Sequence, residues 1–184
     1  MIFNEAYFTS DLPKADHPHF VTRAQWIIDN YAGKRVIELG CGFGHVIKAL
    51  RGLGIVAWGV ESSQYAVDNT EATGFVFPIS AGDSDLKRLD FCVSWNFLDC
   101  LADEAEAEYV IAKINVCTSN YHVLCMDNGR PEVQNYIDKG YFIKPASYWL
   151  GLVDSDVVLV DYHTGTVYNS GSINIPLSWG MISE

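Results

Sequence analysis

Apolar runs of strand length recur along the chain at residues 35–39, 55–60, 75–80, 91–96 and 121–126. Each is short and bounded by Gly, Pro, Asn or Asp, which predicts buried strands. Between them lie stretches with apolar positions on a helical period, at 45–53, 63–70 and 103–117, and a further short one at 131–139. Asp103 and Glu106 are spaced as a capping box for the third of these. A helix over 22–31 is predicted before the first strand. Thr22 would cap it, Trp26, Ile27 and Tyr31 would lie towards one side, and Gly33 would end it. Strands and helices alternating at this spacing build a parallel sheet through right-handed crossovers. Residues 156–162 and 166–169 alternate in polarity around His163-Thr164-Gly165, the pattern of a hairpin with an antiparallel edge strand. The fold class is therefore α/β: a doubly wound, mostly parallel seven-stranded sheet with an antiparallel C-terminal hairpin strand and helices on both faces.

Residues 1–20 have prolines and no period, so they read as an irregular arm whose aromatic residues need a surface. The tail, 170–184, holds Ile173, Ile175, Leu177 and Trp179, which would pack back on the rest. One domain over 1–184 is expected, with an arm at 1–20, a core at 21–169 and that tail; no repeat or linker interrupts it.

Composition narrows the function. A hydrophobic fraction of 49% over 184 residues suits a folded domain with a substantial core. No apolar run approaches the ~20 residues that span a bilayer. The first residues, Met1-Ile2-Phe3-Asn4-Glu5, carry no basic region, so a secretory signal is not expected. The net charge is -11, and the basic residues (Lys34, Arg35, Lys48, Arg51, Lys87, Arg88 among them) form no run. Nucleic acid and anionic lipid are therefore disfavoured partners. Five cysteines without Cys-x-x-Cys spacing point to a reducing cytoplasm and away from zinc.

The densest chemical signal is Val36-Ile37-Glu38-Leu39-Gly40-Cys41-Gly42-Phe43-Gly44. A buried strand ends here in a glycine turn that opens a helix, so backbone can approach a ligand closely. The second run ends in Glu61, followed by Ser62, where a carboxylate can hold ribose hydroxyls. Glu38, Gly40, Gly42 and Gly44 resemble the first motif of the class I S-adenosylmethionine-dependent methyltransferases, an acid followed by Gly-x-Gly-x-Gly. Glu61 resembles their second-strand acid. The dinucleotide fingerprint has two residues between its last glycines, against one here.

The resemblance implies S-adenosylmethionine as cofactor and further site residues. Arg23 would meet the methionine carboxylate, to which a guanidinium can donate two parallel hydrogen bonds. Asp83, with Ser84 beside it, would take the adenine amino group. Ser94, Trp95 and Asn96 would border the methyl, and Cys41 and Ser62 complete the cofactor set. An N-terminal arm often lies over the cofactor in such proteins. The run at 90–101 resembles a pattern that ends Leu-Glu-His, but here it ends Leu98-Asp99-Cys100, so chemistry attributed to that His does not carry over. No Pro-Pro-aromatic or Pro-Cys sequence marks a nucleic-acid base as acceptor. Asp127-Asn128 and Asp99 resemble parts of a magnesium site, but the ligand count is short and no metal is assigned. His17, His19, His163, Asp99 and the tyrosines are candidate bases; none is selected, and His45 has no assigned role. The expected activity is methyl transfer to a small-molecule acceptor by in-line displacement. An inactive cofactor-binding scaffold, or an enzyme using the cofactor for another reaction, stays open, as do the acceptor and the oligomeric state.

Overall fold

The apolar run before the glycines forms β1, Val36–Leu39, buried along its whole length. It lies between β2, Ala57–Val60, and β4, Phe91–Trp95, parallel to both. β3, Val76–Phe77, extends the sheet beyond β2. On the other side follow β5, Asn120–Leu124, and β6, Val157–Asp161, also parallel. β7, Val167–Tyr168, closes the edge antiparallel to β6. The order is β3-β2-β1-β4-β5-β6-β7. The computed structural model describes residues 5–10, 18–31, 35–81, 90–116 and 120–169.

Register fixes where a site can form. Leu39 pairs with both Val60 and Ser94, so the chain leaves β1, β2 and β4 at one edge of the sheet. Residues 40, 61 and 96 emerge together there, at the carboxyl ends where open α/β sheets bind ligands.

Helices cover both faces. α2, Pro18–Tyr31, and α3, His45–Gly52, pack on one face through Ala24, Ile27, Val46, Ile47 and Leu50, against Val36, Phe91, Val93 and Tyr121. α5, Glu104–Ile114, and α7, Ala146–Leu150, cover the other through Ala107, Val110, Ile111 and Trp149, against Ile37, Leu39 and Leu124. Burial on both faces is why the strands are near-continuous apolar runs. α4, Gln64–Asp68, is capped by Ser63, whose Oγ accepts from the Ala66 amide. α6, Pro131–Asp138, begins with proline at its first turn. Asp103 caps α5 by accepting from the Glu106 amide, while Glu106 reaches back to the Ala102 amide.

Two expectations change at the N-terminal end. The arm contains a helix, α1, Glu5–Ser10. α2 begins at Pro18, so Thr22 lies inside it and does not cap it. Proline at a helix start lacks only an amide that would have no intrahelical acceptor. The tail 170–184 and the segment 82–89, which includes Asp83 and Ser84, lie outside the described residues.

Candidate active site

The turn after β1 requires its glycines. Gly40, Gly42 and Gly44 have φ of +62°, +54° and +72°. A Cβ on Gly40 would lie 2.3 Å from the Phe97 ring, and one on Gly44 would lie 2.7 Å from Val76. Gly42 is different: its nearest neighbour would be Phe8 at 3.4 Å, so this glycine faces the arm rather than the core. Cys41 points inward. Its amide donates to Val60 O at 3.2 Å, its carbonyl accepts from the Gly44 amide at 2.9 Å, and its side chain fills the space left by Gly59. Cys41 thus shapes the turn.

Glu61 braces the same turn from β2. One carboxylate oxygen accepts from the Gly42 amide at 2.9 Å and the other from the Ser63 amide at 2.8 Å. Each oxygen keeps a further lone pair for an incoming hydroxyl. Ser62 is exposed beside it. Ser63, which supports both Glu61 and α4, was not marked by the motif.

On the α2 side of β1, Glu38 is 5% exposed. Burial pushes its carboxyl up to about 8; Arg23 opposes the shift and Glu61 adds to it. Arg23 turns its head group inward from α2, 4.5 Å from the Trp95 ring centroid. Desolvation lowers the guanidinium's pKa, and Glu38 resists that. Glu38 Oε2 and Arg23 Nε are both buried without a hydrogen-bond partner. Two buried orphaned polar atoms, one on an acid and one on a base that sense each other, call for a polar ligand.

The other half of the edge is roofed by α1. Phe8 is buried against Phe43 and Tyr65, with ring centroids 5.1 and 6.3 Å away. The Tyr7 phenol is raised well above its ordinary value by burial, then by Cys100, Tyr141, Asp99 and Glu61. Its hydroxyl is hydrogen-bonded to that of Tyr141, which burial pushes up to about 12. Asp99 sits in a 3-10 turn, Leu98–Cys100, and is 2% exposed. Burial pushes its carboxyl up to about 7 against hydrogen bonds from its own amide and that of Cys125, and Oδ1 has no partner.

No protein-family model and no curated protein sequence matches the chain. Solved structures do. A SAM-dependent methyltransferase from Archaeoglobus fulgidus superposes with TM-score 0.59 at 19% identity, covering 79% of this chain and 69% of that one. The plantazolicin methyltransferase BpumL, solved with a monoazolic desmethylPZN analogue and SAH, gives TM-score 0.53 at 14% identity, covering 80% and 63%. The fold is that of the class I methyltransferases. The chain spans about half, 51%, of the length of the CcbJ methyltransferase from Streptomyces caelestis, matched at 24% identity over 62% of this chain with TM-score 0.49.

Within this methyltransferase fold, Glu38, Gly40, Gly42, Gly44, Glu61 and Arg23 converge at one edge. Asn96 joins them after β4 with φ +52°, its amide donating to Val123 O at 2.7 Å. Ser94 does not border the site. Alternate strand residues face opposite ways, and Ser94 is buried towards α5 and α7 with Oγ 2.8 Å from His122 Nδ1. Burial lowers His122 to about 3, so that ring is neutral. Asn128 is engaged with Asp161 at 2.9 Å, and Asp127 accepts from the Gly129 amide at 3.2 Å. Among the described residues no group of three His, Cys, Asp or Glu side chains is placed to hold a metal ion.

Proposed function

We propose that this chain binds S-adenosylmethionine and transfers its methyl group to a small-molecule acceptor. The observation that carries the reading is the interacting pair Glu38 and Arg23, with buried unpartnered Oε2 and Nε atoms, beside the left-handed glycine turn. A zwitterionic α-amino acid complements such a pair. Arg23 donates to its carboxylate, and Glu38 accepts from its ammonium. Glu61, held rigid by the Gly42 and Ser63 amides, accepts from the ribose hydroxyls. Gly40, Cys41, Gly42 and Gly44 set the backbone path, Ser62 and Asn96 line the rim, and Asp83 with Ser84 takes the adenine.

Bound S-adenosylmethionine supplies a methyl group on a cationic sulfur that leaves as a neutral thioether, so no nucleophilic triad is needed. The residues of the chain align the acceptor with that methyl and keep water away, which is the larger part of such catalysis. α1, with Tyr7 and Phe8, roofs the site for this purpose. The charge of -11 favours a small acceptor over a nucleic acid. No described helix is long and apolar enough to cross a membrane. Cys41, Cys100 and Cys125 are free thiols, which supports a reducing, cytoplasmic setting.

Calorimetric titration of the full chain with S-adenosylmethionine and S-adenosylhomocysteine tests the reading. Both should bind, and Arg23→Lys should weaken both about tenfold or more, as lost charge-assisted hydrogen bonds do. Failure of well-folded protein to bind either removes the reading. Binding without label transfer from methyl-labelled cofactor to any acceptor would favour a scaffold, and cofactor breakdown without acceptor would favour cleavage or cyclisation.

A further inference from the structure

Resting on the methyl-transfer reading, we propose that the acceptor is a small organic amine, arriving as its ammonium cation and held by Asp99 beneath the Tyr7–Tyr141 pair. Asp99 is 2% exposed, and its Oδ1 has no partner. A buried carboxyl oxygen that no neighbouring side chain or backbone group satisfies calls for a partner from outside the chain or a catalytic role. The turn that carries it is fixed in place, since the Phe142 amide donates to Asp99 O at 2.8 Å. The side chains that feel its charge are Tyr7 from α1, Cys100 on the same turn, Cys125 after β5 and Tyr141 before α7. None of these is cationic.

The position relative to the cofactor follows from the turn that carries Asp99. Phe97, which opens the Asp99 turn, lays its ring over Gly40, and Cys100 Sγ donates to Asn96 O at 3.2 Å, so the turn is tied to the same sheet edge; Tyr7 feels both Asp99 and Glu61. Asp99 therefore adjoins the cofactor half of the edge. The groups that sense its charge include two phenols, Tyr7 and Tyr141, and the Tyr141 ring lies 5.4 Å from that of Tyr136. A carboxylate with phenol rings attracts an ammonium through both charge and the ring faces, and repels carboxylates and phosphates. The molecule's net charge of -11 draws cations to it from a distance.

The same carboxylate completes the chemistry. An ammonium has no lone pair until it gives up a proton, and Asp99 takes that proton. The freed nitrogen pair forms the bond to the methyl carbon as the carbon–sulfur bond breaks, and that bond's electrons stay on sulfur. The product leaves as a methylated ammonium, and the Asp99 proton passes to solvent. A carboxyl raised to about 7 is matched to proton transfer near neutral pH, which an ordinary aspartate is not.

The test uses the full chain saturated with S-adenosylhomocysteine. Benzylamine, phenethylamine and butylamine are titrated by calorimetry, alongside benzyl alcohol and benzoate. At least one amine should bind, about tenfold or more tighter than the alcohol, and benzoate should not bind. Asp99→Asn should lower amine affinity about 10- to 100-fold while S-adenosylhomocysteine still binds. The kcat/KM for methyl transfer to the amine should rise with pH through about 7, the value of the free site, and Asp99→Asn should lose that limb. The proposal is overturned if no amine binds, if the alcohol or benzoate binds as well as the amines, or if Asp99→Asn leaves amine affinity unchanged. In those cases cofactor binding, and with it the broader reading, still stands. Loss of S-adenosylhomocysteine binding by the unaltered chain removes both. If Asp99→Asn does not fold, the ligand series on the unaltered chain decides.

Discussion

Glu38 occupies the interior of a central strand, where an ionised carboxylate is expensive to hold. Its pKa of about 8, against 4.5 in the unfolded chain, couples that cost to pH. Between those values the folded protein keeps a proton that the unfolded chain releases, so Glu38 makes stability fall as pH rises. The slope reaches about 1.4 kcal/mol per pH unit. Asp99 acts in the same direction between 3.8 and about 7. His122 acts oppositely: it stays neutral in the fold down to about 3 while the unfolded chain protonates near 6.5, so its contribution to stability rises with pH across that window. The whole-chain pH curve therefore mixes opposing groups, and a difference between variants is needed to isolate one. Glu38→Gln should gain on the unaltered chain from pH 5 to pH 8 in urea unfolding. A difference that stays flat over this range would show that Glu38 ionises normally in the fold.

Among the elements, α1 packs over the glycine turn, and one side chain fastens it. Phe8 is 6% exposed between Phe43, from the turn, and Tyr65, from α4. The six-residue helix has too few turns to persist without that contact. Phe8→Ala should thus raise hydrogen exchange over residues 5–10 at least about tenfold, with the central strands unchanged, because a buried Phe→Ala truncation costs about 3–5 kcal/mol. Uniform exchange changes throughout the sheet would sink this view of the arm as a separate lid. The arm also shows what the sequence could and could not carry. Strand–helix alternation and the glycine spacing are local patterns, and they placed β1, α3, Glu61 and the sheet order's closing hairpin. The inward turn of Arg23 towards Glu38, the Tyr7–Tyr141 hydrogen bond and the burial of Asp99 join residues far apart in the chain, which no local period records. Ser94 departs from the expected methyl-side position for a local reason: strand alternation sends it to the face opposite Trp95 and Glu38. Thr22 lies inside α2 because Pro18, a strong start signal, opens the helix four residues earlier.

At the scale of the whole molecule, the charge of -11 distinguishes the two forms of the proposed cofactor. S-adenosylmethionine carries a cationic sulfur beside its zwitterionic end, whereas S-adenosylhomocysteine is neutral overall. Their contacts with the glycine turn, Glu61, Glu38 and Arg23 would be the same, so the acidic field should separate them. That field is long-ranged at low salt, with a Debye length of about 30 Å at 0.01 M, and is cut to about 8 Å at 0.15 M. Surface potentials of several kT act on the extra unit charge. Raising salt across this range should weaken S-adenosylmethionine about threefold or more and leave S-adenosylhomocysteine almost unchanged. Equal salt slopes for the two ligands would mean that the net charge does not reach the site, and that only the nearby carboxyls sense the sulfonium. The comparison also bears on turnover: under low-salt conditions the acidic molecule would retain the charged methyl donor and release the neutral product, which is the direction a methyl-transfer cycle requires.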